Sequence, residues 1–302
     1  MEYSAKGLLK PKAPYSFDRT LEFLEMFAPT QNEQTLVKGV LTKAVRINGQ
    51  TIAFQIESKG SLQAPELAYT LFADKPVTPE LQAAAEERIR FHLSLDDDLN
   101  PFYEIASHDP YFEPVIKELY GYHQVKFVTP FENACWAIIS QRNMMAVSSK
   151  MKRALSDYFK NCIEVNGTFY SAFPDAKQVA KLGVDGLTFV IHHEPKAIGL
   201  QAVAEAFSNV DEAFLRHGPY DEVEAWLKSI HGIGDWSANF IMLRGLGRME
   251  KAPTSSSEKR IYEAAARIYG RGQAVTADQL KKLASQYGPC QGYWAHYLRV
   301  IS

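Results

Sequence analysis

The stretch WLKSIHGIGDWSANFIMLRGLG, residues 226–247, constrains the fold of this chain more than any other. Trp226, Leu227 and Ile230 follow helical spacing, Gly232-Ile233-Gly234 breaks it, and a second helical pattern starts at once. Two glycines around one apolar residue make a tight turn whose backbone can approach another molecule closely. Ile233 would plug the turn into the core. The second helix begins with N–H groups that have no intrahelical acceptor and with the positive end of the helix dipole. Together with Ser237-Ala238 packed behind the turn, Gly232, Ile233 and Gly234 form a candidate phosphate site that needs no side-chain charge.

The rest of the chain sets the frame around that hairpin. Its 302 residues suit one large or two ordinary domains, and 46% hydrophobic residues supply a sizeable core. No apolar run approaches ~20 residues, so no membrane span is expected. The N-terminal MEYSAKGLLKPKAPYSF has no apolar signal core, which gives a cytoplasmic expectation. Cys135, Cys162 and Cys290 lie far apart and form no C-x-x-C pair, so neither zinc nor an iron–sulfur cluster is supported. The net charge is −2. From Lys228 to Arg271, eight Lys or Arg against four Asp or Glu give +4, which leaves −6 for the remainder. That local surplus suffices to track phosphates, though on charge alone ordinary solvated helix faces are the favoured reading.

The first part reads as α+β. Ile52, Phe54 and Ile56 alternate beside the hairpin signal Asn48-Gly49, and Leu67, Tyr69 and Leu71 alternate again. Thr78-Pro79 opens a helix. Asp96-Asp97-Asp98 lacks the glycine and distal glutamate of a calcium loop and reads as a turn or cap. From about residue 103 strand signals stop. Helical segments follow at 109–121, 130–145, 147–160, 175–182, 195–208, 220–230, 235–247, 257–269 and 276–300. The expected organisation is an α+β N-terminal domain, residues 1–102, with an antiparallel sheet, followed by a larger all-α domain, residues 103–302.

The 226–247 segment resembles the helix-hairpin-helix element of the DNA base-excision glycosylase superfamily. FENACWAIISQRNMMAVSSKMKRAL (131–155) and ASQYGPCQGYWAHYLRVI (284–301) are similar to the 3-methyladenine DNA glycosylase II, or alkylation-repair, branch. The α+β N-terminus resembles that branch's extra domain more loosely. Members that also cleave the DNA backbone carry a lysine two residues after the second glycine, which forms a Schiff base with the sugar. Here that position is Trp236, so the resemblance implies hydrolysis without lyase activity. Trp236, with Phe240 one turn later, would stack on a cationic alkylated base; a buried core tryptophan is the plainer reading. The resemblance also implies a side chain inserted into the gap left by the flipped base. Gln141 and Arg142 are the candidates, and Arg142 would equally serve a phosphate.

Hydrolysis of an N-glycosidic bond builds positive charge on the sugar, and a carboxylate can stabilise it and deprotonate water. In the superfamily this group is an aspartate just before the helix after the hairpin. The corresponding stretch here, KAPTSSSEKRIYE (251–263), has Pro253 but no aspartate. Counting from Gly245 places Ser256 there, whereas counting back from the helical pattern places Glu258. Only Glu258 carries the needed charge. Ser255-x-x-Glu258 also fits a capping box, in which Glu258 only satisfies a helix N–H.

The resemblance therefore implies a monofunctional DNA N-glycosylase for alkylated purines, acting as a monomer on duplex DNA with Glu258 as catalyst. It implies no cofactor beyond a Na+ or K+ at the hairpin. Two alternatives stand beside it: a non-catalytic protein of the same fold that binds damaged or abasic DNA, and a glycosylase for an oxidised or deaminated base.

Overall fold

The computed structural model describes residues 3–31, 33–270 and 272–302. Among them, five strands form one antiparallel sheet in the order β1-β5-β4-β3-β2, with β1 Tyr3–Leu9, β2 Gln34–Val37, β3 Val40–Ile47, β4 Gln50–Ser58 and β5 Leu67–Ala73. Asn48-Gly49 joins β3 to β4 with Ile47 facing Gln50, the two-residue turn that the dipeptide favours. Strict alternation along Leu67–Ala73 puts Leu67, Tyr69, Leu71 and Ala73 into the core. The helix α1, Phe17–Met26, precedes β2, and α2, Pro79–Leu93, follows β5, capped by the Thr78 hydroxyl and opened by Pro79. Leu81, Ala85 and Ile89 of α2 close the core over Phe54 and Ile56.

The second domain comprises α3 Asn100–Ala106, α4 Glu113–Glu118, α5 Pro130–Ser140, α6 Met145–Phe159, α7 Ala176–Ile191, α8 Glu194–Asn209, α9 Glu212–His217, α10 Tyr220–Ser229, α11 Asp235–Phe240, α12 Lys259–Ile268, α13 Ala277–Ser285 and α14 Gln291–Val300. One core gathers α5, α8 and the hairpin helices; a second gathers α3, α4 and α12 to α14.

Besides the unexpected helix α9 and the continuation of α7 past a kink at Gly183 to Ile191, the structure departs from the sequence expectation in three places. The helical domain contains a β-hairpin, β6 Cys162–Val165 and β7 Thr168–Ser171, closed by Asn166-Gly167 in the left-handed region. Ile163, Val165 and Tyr170 of this hairpin pack on Ala44 and Ala53 of the large sheet, so the hairpin staples the two domains. The segment expected to be one helix over 276–300 is broken by the Gly288–Cys290 turn, where proline cannot supply an N–H. After Phe240 the hairpin's second helix widens into a π-helical turn, Ile241–Leu246. Asp96, Asp97 and Asp98 send their carboxylates to Arg90, Tyr293 and the Asn100 N–H respectively, so the triplet organises a turn.

Candidate functional site

The hairpin is built from the end of α10, the turn 230–234 and the start of α11. Gly232 has φ 90°, and a Cβ there would come within 3.0 Å of Ile138 Cδ1. Both its backbone angle and its seat on α5 therefore require glycine. Ile233 is buried, and its N–H already donates to Ile230 O at 3.0 Å. Of the three candidate phosphate-binding amides, those of Gly232 and Gly234 have no acceptor among the described residues. Ser237 is buried, and its hydroxyl faces inward to Gln141 Nε2 at 3.0 Å, which leaves its main chain for a phosphate.

Gln141 ends α5 and is committed to the hairpin. Its Nε2 donates to Gly232 O at 2.8 Å as well as to Ser237. Lys196 Nζ in turn donates to Ile138 O and Gln141 O, each at 2.9 Å, and so occupies the carbonyl end of α5. The side chains that stand free at this corner are Arg142, exposed with φ 53°, and the apolar Met144 and Met145, 76% and 50% exposed. An exposed apolar pair beside an arginine is the composition of a wedge.

Trp236 is 37% exposed and stacks on Phe240, with centroids 5.3 Å apart and planes 9° apart. The series continues through Phe127 to Phe27, at 6.1 Å and then 5.4 Å. Phe27 stacks on Phe23 at 5.1 Å, and Phe23 meets the His296 ring at 5.8 Å. Phe23 and Phe27 come from α1 and its C-cap, so the N-terminal domain supplies part of this wall. Nothing local in their sequence separates them from ordinary amphipathic helix positions.

Glu258 is the N-cap residue of α12, but its side chain makes no cap hydrogen bond. It pairs through Oε2 with Arg299 of α14, and both side chains are largely buried. The capping box is not formed. The Ser255 hydroxyl meets that of Ser257 at 2.9 Å, and Ser255 O accepts the Glu258 N–H at 3.0 Å, so the loop closes on itself and the helix starts later than a box would require. Ser256 is exposed. The carboxylate thus occupies the helix-start position that the resemblance gives to the catalytic group, facing α14.

The basic surplus of this region is mostly spent internally. Lys228 pairs with Glu224 and Asp235, Arg248 with Glu250, and Lys251 with Asp221 and Glu224, while Arg244 is buried. Lys259 and Arg260 remain exposed next to Glu258, and Arg271 lies outside the described residues. A cavity of about 480 Å³ lies elsewhere, between the 28–35 segment, α6 and β7. Beside it, Lys152 Nζ bonds Glu132 and Glu33, each at 2.6 Å, and Pro29 O at 2.9 Å. Burial alone would lower the Lys152 pKa, but the two carboxylates raise it, so this is a satisfied ionic joint between the domains.

These features can be set against known proteins. No family model matches the chain. A DNA-3-methyladenine glycosylase of Bacillus subtilis is 24% identical over 263 residues, covering 86% of this chain and 85% of that protein. The structure of the 3-methyladenine DNA glycosylase from Archaeoglobus fulgidus superposes with a TM-score of 0.78 at 19% identity, over 97% of each chain. The chain is similar in sequence to a DNA-3-methyladenine glycosylase and shares the fold of the helix-hairpin-helix DNA glycosylases. An 8-oxoguanine glycosylase/lyase from Clostridium acetobutylicum shares the same fold, with a TM-score of 0.68 at 15% identity over 99% of this chain and 97% of that one. Among the described residues, no helix is long and apolar enough to cross a membrane.

Proposed function

We propose that this protein is a monofunctional DNA N-glycosylase that excises alkylated purines in base excision repair, acting as a monomer on duplex DNA. The observation that carries this reading is the Trp236–Phe240 stack. It supports the reading because the position to which the resemblance gives a Schiff-base lysine carries the indole of Trp236, which offers no amine for backbone cleavage. Its part-exposed face is suited to an electron-poor base.

In this reading the Gly232 and Gly234 amides hold the phosphate, Arg142 with Met144 fills the vacated stack, and the flipped base lies along the aromatic wall. The C1′–N bond breaks as the base leaves. Glu258 stabilises the sugar cation and takes a proton from the water that adds to C1′. A Na+ or K+ at the hairpin would be held by main-chain carbonyls of the turn, since among the described residues no group of three or more His, Cys, Asp or Glu side chains gathers to hold a metal.

The test is release of 3-methyladenine and 7-methylguanine from methylated duplex DNA. Free base should appear without strand cleavage. Tight binding to an abasic-analogue duplex with no release of any base would favour a non-catalytic binding protein, a reading supported by the engagement of Glu258 with Arg299.

A further inference from the structure

Arg244 sits in the π-helical turn and is 2% exposed. Its guanidinium carbon lies 4.8 Å from the Phe23 ring centroid and 4.7 Å from that of Phe27. Both terminal nitrogens are buried and, among the described residues, have no hydrogen-bond partner. No carboxylate pairs with it; Glu258 is taken by Arg299. The Tyr122 hydroxyl lies beside the guanidinium and favours its charged form, while also meeting His296 Nε2 at 3.1 Å. Burial lowers the Arg244 pKa to about 10, which still leaves the group charged at neutral pH.

A buried cation without a carboxylate partner is costly, and two aromatic faces and a phenol offset only part of that cost. Its position supplies a reason to keep it. Phe27 continues through Phe127 and Phe240 to Trp236, and Phe23 leads to His296, three residues before Arg299. Phe23 and Phe27, which cover the guanidinium, are themselves partly exposed. A base moving along this wall and displacing one ring would meet the guanidinium donors, with no carboxylate beside them.

We infer that Arg244 is a specificity-determining residue that reads the O6 edge of a 6-oxopurine, selecting 6-oxopurine lesions over 6-aminopurine lesions. The inference rests on the glycosylase reading above. A guanidinium fits the O6 and N7 acceptors of a 6-oxopurine with two parallel hydrogen bonds. A 6-aminopurine turns an N–H₂ group toward the same donors. The order among lesions follows. Hypoxanthine offers O6 and N7 and carries no charge. 7-Methylguanine keeps O6, loses N7 and brings a cation. 3-Methyladenine presents the amino group.

The experiment compares single-turnover release of hypoxanthine from a defined duplex, and of 7-methylguanine and 3-methyladenine from methylated duplex, by wild type, Arg244→Met and Arg244→Lys. Ratios between variants cancel the intrinsic lability of each lesion. Arg244→Met should lower hypoxanthine release by about tenfold or more relative to 3-methyladenine. 7-Methylguanine should fall by less, and Arg244→Lys should lie between wild type and Met. Equal loss on all three bases, or no loss, overturns the inference, as does wild-type release of 3-methyladenine alone, which leaves the glycosylase reading intact. Release of none of the three by wild type overturns both. Should the Met variant fail to fold, the Lys variant decides, and unchanged ratios in it count against the inference.

Discussion

Replacing Glu258 with glutamine keeps the side chain's shape and removes its charge, and two losses should follow that differ in size. The first is stability. The Arg299–Glu258 side chains are 23% and 13% exposed, between a surface pair worth ~0–1 kcal/mol and a fully buried pair whose rupture costs ~3–5 kcal/mol. A loss of about 1–2 kcal/mol is expected. A domain stable by ~5 kcal/mol or more would stay almost entirely folded after that loss. The second is turnover. A positioned acid–base or charge-stabilising group contributes ~10²–10⁴-fold, about 3–5 kcal/mol of barrier. Unfolding therefore cannot mimic the rate effect. Single-turnover release of 7-methylguanine with enzyme in excess should fall by about 10²-fold or more, while binding to an abasic-analogue duplex stays within a few-fold of wild type. Glu258→Asp gives a second reading. Aspartate is the better N-cap, so the helix should hold, but the carboxylate is retracted by about one methylene and the rate should drop by an intermediate amount. Release by Glu258→Gln within about threefold of wild type would refute the catalytic assignment and leave the residue only its ion pair.

Three further outcomes follow from the geometry. Gln141→Leu removes both hydrogen bonds that hold α5 to the turn and strands the buried Ser237 hydroxyl; the urea midpoint should drop by the equivalent of about 1–2 kcal/mol and duplex affinity should fall with it, and a variant unchanged in both would show that the turn holds itself. Gly245→Ala would bring a Cβ within 2.5 Å of Oδ1 of the fully buried Asn133, which should cost about 1–3 kcal/mol by denaturant titration and be partly relieved in combination with Asn133→Ala. Burial lowers the pKa of His92 to about 3 and also lowers those of His123 and His296, the last with help from the Arg244 and Arg299 charges. Unfolded histidine takes up its proton near ~6.5, the folded ones at lower pH and His92 only near 3, so stability should be fullest above about pH 6.5 and fall as the pH drops toward 3, by up to about 1.4 kcal/mol per pH unit for each histidine still unprotonated in the fold. Urea midpoints at pH 7.5 and 5.5 measure the slope, and His92→Phe should flatten it.

What the sequence makes legible is what a few neighbouring residues decide. The Gly232-Ile233-Gly234 turn, the Asn48-Gly49 hairpin and the Thr78-Pro79 helix start are local, and each forms where the sequence places it. Asn166-Gly167 carries the same signal as Asn48-Gly49, but its strands are four residues each and lie among helices, so helical periodicity obscures them. The site itself depends on pairings across the chain. Gln141 meets the hairpin 91 residues away, and Glu258 meets Arg299 41 residues away. The isolation of Arg244 is illegible for the same reason, because a missing partner is a property of the packed interior. Phe23 and Phe27 sharpen the point. As sequence they belong to the α+β domain and read as its own core, yet they cover the guanidinium of a residue in the glycosylase hairpin. The N-terminal domain is therefore part of the candidate site's wall, and a chain cut near residue 102, where the sequence suggests a boundary, would uncover Arg244 and lose Phe23 and Phe27 from the aromatic series.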